Sequence, residues 1–178
     1  ITRRDIIDHL SSPNGSLIRG FIMTMVWGHG YSDSGIADNR GAWKVSQMLD
    51  PYQQSIEILQ QAKSNLEKND LHAAYVSFEN MKWIRVNFFS KFLYFLGRSL
   101  NMSIYPLIFD ARVATSIGLL NSVNQGFCNF LSIEPNQTPE AYVQYVNLMH
   151  KISSENRIDA DKLELFLFNG LKSTDADN

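Results

Sequence analysis

The sequence predicts an all-α protein, and three observations lead there. Apolar residues recur at helical spacing in segments such as "DKLELFLFNG" and "EAYVQYVNLMHKI". Capping residues and prolines fall where helices should begin, with Asp110 before "ARVATSIGLLN" and Thr138 before Pro139. No convincing strand emerges; the most strand-like run is "YPLIFDARVA".

The elements follow in order. A short helix at 5–10 ends at "SSPNGS". Ser16 is placed to cap "LIRGFIMTMVWG", which Gly28 and Gly30 should terminate. The glycine-bearing "GHGYSDSGIADNRG" reads as a loop. Helices are then expected at about 42–49, 51–66 and 70–84, the second opening on Pro51. The stretch "SKFLYFLGRSL" predicts a helix at about 90–100. Pro106 makes "NMSIYPLIF" a loop, because proline cannot continue a helix. Asp110, Thr138 and Asp159 are expected caps for the last three helices, and Gly170 ends the last.

The 178 residues suit one compact domain over 1–170, with "STDADN" within a disordered tail at 171–178. A net charge of -2 leaves no global basic footprint for nucleic acid. The single cysteine, Cys128, excludes an internal disulfide and fits a reducing compartment, hence the cytoplasm. No apolar run approaches the roughly 20 residues of a membrane helix. The chain begins at Ile1 rather than Met, which leaves room for residues upstream. The four histidines show no ligand spacing with one another or with Cys128, so no metal and no cofactor are expected.

One residue stands out. "NFFSKFLYFLG" is the greasiest segment, and Lys91 sits in its middle. On a helix its neighbours three, four and seven residues on are Tyr94, Phe95 and Arg98. A lysine at such a helix's edge ordinarily snorkels to water. Here two features point elsewhere. Asp110 follows 19 positions later at a helix start, and residues 82–112 hold Lys82, Arg85, Lys91, Arg98 and Arg112 against that one acid. This local +4, interleaved with Trp83, Phe88 and Phe89, suits a phosphate-binding face.

The order of hairpin, lysine helix, proline-bearing loop and capping aspartate resembles the helix-hairpin-helix DNA glycosylase superfamily. Within it the chain resembles the lysine-bearing 8-oxoguanine DNA glycosylases, and as a whole it resembles more closely the bacterial proteins described as having an 8-oxoguanine DNA glycosylase fold. "SKFLYFLG" and "YPLIFDARVA" are similar to the glycosylases' lysine helix and proline-aspartate segment, and "FIMTMVWGHG" with Arg40 and "SQML" to the amino-terminal half of the bacterial proteins. The likeness spans roughly residues 17–170. It implies a helix-hairpin-helix glycosylase-like bundle acting, as a monomer, on damaged double-stranded DNA or a modified nucleobase, at the nucleoid if it binds DNA. Lys91 would be the Schiff-base nucleophile and Asp110 the stabiliser of the sugar cation. The hairpin would be "VNFFS", with Asn87, Phe88, Phe89, Ser90, Arg85 and Arg112 meeting phosphate. Where the family carries Gly-x-Gly, this chain has Asn87 and Phe89. The base pocket would draw on Trp27, His29, Gly30, Tyr31, Arg40 and Phe166.

The chemistry agrees with the pairing. Breaking the C1′–N bond builds positive charge on the sugar, which a carboxylate stabilises. An amine that attacks the same carbon must first lose its proton, and apolar surroundings favour the neutral form. The expected activity is a DNA glycosylase with β-lyase action on an oxidised purine such as 8-oxoguanine. The alternative is an enzyme or binding module of the same fold acting on another nucleobase or a modified guanine, in a defence operon, without duplex repair.

Overall fold

The computed structural model describes residues 1–29, 40–123 and 137–169. Among these, all regular structure is helical: α1 (Arg3–Ser11), α2 (Leu17–His29), α3 (Arg40–Met48), α4 (Tyr52–Glu67), α5 (Leu71–Val76), a 3-10 turn (Ser77–Asn80), α6 (Val86–Ser99), α7 (Ala111–Val123), α8 (Pro139–Asn156) and α9 (Ala160–Asn169). The expected tail at 171–178, the stop at Gly170, and the glycine loop at Gly30 and Tyr31 lie outside the described residues.

Local chemistry explains most boundaries. Thr2 and Asp5 form a reciprocal capping box on α1. Asp70 and Thr138 cap α5 and α8 through their side chains. Three helices end in a left-handed residue: Asn69 after α4, Asn101 after α6 and Arg157 after α8. Behind Asn101, the Met102 amide donates to the Gly97 carbonyl at 3.2 Å, which closes the helix end.

α6 is the hub. It packs on α1, α2 and α4, and every residue from Phe89 to Gly97 is buried. Phe92 meets Phe21 of α2 edge-on at 5.4 Å, while Phe89 stacks on Phe78 at 5.1 Å. Close helix approach elsewhere depends on a missing side chain: a Cβ on Gly20 would lie 2.3 Å from Leu10.

Three expectations are corrected. The helix at 70–84 breaks after Val76, because Ser77 folds its hydroxyl back onto the Ala73 carbonyl and Phe78 turns inward to stack on Phe89. α2 does not stop at Gly28 but runs to His29. The hairpin is not "VNFFS": α6 already starts at Val86, and the turn lies at 81–85, with Trp83 in left-handed backbone at φ 63°.

Residues 105–109 cross the core without regular structure, yet all five are buried. Backbone groups buried in this way need partners. Side-chain hydroxyls and a ring nitrogen supply them. Tyr142 donates to the Leu107 carbonyl at 2.7 Å and Tyr145 to the Ile108 carbonyl at 3.0 Å. His150 Nε2 lies 2.8 Å from the Tyr105 carbonyl. Ser90 accepts from the Phe109 amide at 3.1 Å. Truncating one hydroxyl should therefore cost more than its own volume suggests. Tyr142→Phe should lose about 1–3 kcal/mol, seen as a lower urea midpoint with an unchanged slope; an unshifted midpoint would show that the carbonyl has found another partner.

Candidate functional site

Lys91 occupies the second turn of α6, not the first. Its side chain runs back along the helix, as helical side chains do, and Nζ donates to the Asn87 carbonyl at 2.7 Å. The residue is only 9 % exposed, so it does not snorkel into water. Phe88 lies under the amine at 5.2 Å. Gly28 of α2 lies against the stem: a Cβ there would stand 3.0 Å from Lys91 Cδ and 3.7 Å from Phe88 Cδ1. Gly28 is thus the space in which the lysine stem lies.

Burial lowers the Lys91 pKa, while the negative charges of Asp110 and Glu164 oppose the shift. Among the nearby cations, Arg98 is engaged with Asp161 at 3.5 Å and lies over the Tyr105 ring at 4.6 Å. Desolvation is the larger influence, and it favours the neutral amine.

Asp110 is brought to Lys91 by a short tether. Ser90 precedes the lysine and Phe109 precedes the aspartate, and the Ser90–Phe109 hydrogen bond joins the two pairs. Further along, Gly97 permits the same segment to approach, since a Cβ there would sit 2.4 Å from Pro106 Cδ. Asp110 caps α7 as expected. Its Oδ1 accepts from the Arg112 amide at 3.0 Å and the Val113 amide at 3.1 Å.

The third charged group, Glu164 of α9, was not anticipated. It is 1 % exposed, and Arg3 Nη2 approaches Oε2 at 3.7 Å without a hydrogen bond. Burial pushes its carboxyl up to about 7; Arg3 and Lys91 oppose this, and Asp110 and Asp161 add to it. A signal was present in the sequence. Ala160, Glu164 and Leu167 share the buried face of α9, so an acid stands on an apolar stripe, as Lys91 does. Arg3 gave no such signal. It lies over the rings of Trp27 at 5.2 Å and Tyr94 at 5.3 Å.

The remaining predicted residues divide. His29 lies at the exposed end of α2, its ring 4.8 Å from Phe88 and so near the amine. Trp27 packs edge-on against Phe95 at 5.2 Å, as part of the core margin. Phe166 is 63 % exposed, about 200° around α9 from Glu164 at 100° per residue, and does not join this cluster. Arg40 begins α3. Phe89 and Ser90 are turned into the core rather than toward a phosphate. Arg85 is exposed at the α6 start, and Arg112 lies over Phe168 at 4.8 Å. Asn87 keeps a buried Oδ1 with no hydrogen bond. No group of three or more potential metal ligands occurs among the described residues. No described helix is long and apolar enough to cross a membrane.

The described residues are thus all helical in their regular structure, with a buried lysine tethered beside a capping aspartate. Residues 1–168 match the family described as "Putative 8-oxoguanine DNA glycosylase OGG-like protein", and the chain belongs to that family. No curated protein and no solved structure matches it.

The raised Glu164 pKa has a consequence for stability. Between about 4.5, the ordinary glutamate value, and about 7, the folded state holds a proton that the unfolded state has released. Glu164 therefore favours folding below that window and loses this contribution as pH rises through it. Glu164→Gln should be progressively more stable than wild type from pH 4.5 to 7.5, by up to on the order of 3 kcal/mol. A pH-independent difference in urea midpoints would remove the buried-proton account.

Proposed function

We propose that the chain is a DNA glycosylase with β-lyase activity on an oxidised purine such as 8-oxoguanine. The observation that carries this is the desolvated Lys91 amine held one residue from the same tether that places Asp110. Family membership supports the glycosylase class. Lys91 and Asp110 supply a nucleophile and an anion, the two groups that the bond cleavage needs.

The steps would run as follows. The Nζ lone pair attacks C1′ of the damaged nucleotide as the C1′–N bond breaks, and the base leaves with the bonding electrons and takes up a proton. Asp110 faces the positive charge that develops on the sugar. After Nζ gives up one proton, its lone pair expels O4′, which takes up a proton as the sugar ring opens, leaving a protonated imine between Nζ and C1′. Loss of a C2′ proton expels the 3′ phosphate by β-elimination, and water releases the amine. For the first step Lys91 must be neutral, which its burial favours. The hydrogen bond to the Asn87 carbonyl orients the amine in either protonation state. Asn87 Oδ1 and Glu164 Oε2 are buried without hydrogen-bond partners.

A second reading has its own support. The α6 start carries no glycine, and Phe89 and Ser90 face inward, so the backbone there departs from the Gly-x-Gly pattern of a phosphate-binding hairpin. An enzyme of the same fold acting on another nucleobase or a modified guanine would tolerate that change.

Borohydride trapping with a duplex carrying one 8-oxoguanine tests the reading. Wild type should form a covalent adduct and Lys91→Gln none. Asp110→Asn should keep the fold and lower single-turnover excision by about 100-fold or more, in the range of lost electrostatic stabilisation. No adduct with 8-oxoguanine or with an abasic site would reject the lyase mechanism, and activity on RNA or free nucleosides alone would favour the second reading. Gly28→Ala gives a finer check. The added methyl improves helix propensity by about 1 kcal/mol but presses on the lysine stem. Thermal stability should hold while adduct yield falls; full yield would show that the stem position is not limiting.

A further inference from the structure

The hairpin at 81–85 carries a feature that folding does not require. Trp83 is 62 % exposed and Trp43 of α3 is 52 % exposed. Their ring centroids are 5.9 Å apart with planes at 62°. Trp83 also stands at φ 63°, a left-handed backbone that a bulky side chain adopts only against strain. Asparagine holds the corresponding conformation at Asn69 and Asn101 with little cost. A strained residue whose ring stays mostly in solvent gains little from apolar burial in return. Such outliers cluster where a ligand is met.

The charge around the pair gives the sign of that ligand. Lys82 and Arg85 flank Trp83, Lys44 follows Trp43, and all three are exposed. No acid occurs from Met81 through Phe109; the exposed Glu79, before the hairpin, is the nearest acid in sequence to Trp83. Two indoles bordered by cations suit a flat ring joined to phosphates. A base inside an intact duplex cannot offer its face, because its neighbours cover it; an unpaired base can.

We propose that the Trp43–Trp83 pair, with Lys82 and Arg85, is a stacking site for an unpaired nucleobase beside the hairpin. This rests on the reading that the chain acts on DNA and deepens it: the hairpin engages a base released from the duplex, not phosphates alone. The site is an exposed surface, distinct from the buried Lys91 amine.

Fluorescence anisotropy at fixed low salt would test it, with two labelled duplexes of equal length, one fully paired and one carrying a single unpaired thymine. Wild type should prefer the interrupted duplex. Trp83→Gly relieves the backbone strain and removes the ring, so it should be at least as heat-stable as wild type. It should nonetheless bind the interrupted duplex at least about fivefold more weakly and lose the preference. Trp83→Phe should retain most of both. Equal binding by wild type and Trp83→Gly, or no binding to either duplex, overturns the stacking site. So does self-association of wild type that Trp83→Gly abolishes while DNA binding is unchanged. Failed trapping alongside Trp83-dependent binding would remove the lyase reading alone. Successful trapping with binding independent of Trp83 would remove only the stacking site.

Discussion

The site depends on how a buried, non-helical piece of backbone is satisfied. Residues 105–109 carry peptide groups through the core with no ladder to pair them. Burying such groups unpaired is costly, so each available partner fixes the path of the segment. Tyr142, Tyr145 and His150 hold it to α8, and Ser90 holds it to α6. Because Ser90 and Phe109 each stand one residue before a functional candidate, the interaction that satisfies the backbone also sets Lys91 beside Asp110.

The amine is then conditioned by its surroundings. α6 is buried nearly all round, so a lysine on it has no outward route except along its own helix. The helix α2 gives up a side chain at Gly28 to make room for the stem. Desolvation lowers the pKa of the amine while Asp110 and Glu164 oppose the shift, and desolvation is the larger influence. Glu164 is in the complementary condition, an acid that burial drives toward the protonated form.

A polar seam ties this cluster to the outside of the bundle. Tyr94 donates to Asp161 at 3.2 Å, Arg3 donates to Tyr94 at 3.4 Å, and Arg98 pairs with the same Asp161. The first helix, the central helix and the last helix therefore meet through charge as well as through apolar packing. The amino-terminal Arg3 reaches a residue 161 positions later, a contact that no local pattern encodes.

What the sequence determined by itself is what local chemistry decides. Helical class, the Thr138 and Asp110 caps, the loop at Pro106, and the oddity of Lys91 all follow from residues read with their near neighbours. The tertiary structure decided the rest. It ended the predicted 70–84 helix early, with Phe78 turned inward to stack on Phe89. It drew "VNFFS" into α6 and left a turn at 81–85, with Phe89 turned into the core and Ser90 holding the tether. It turned Gly28 from a helix stop into space for a lysine, and it gave Glu164 and Arg3 their places. Each of these depends on what a residue meets across the core, and sequence separation hides that from any local rule.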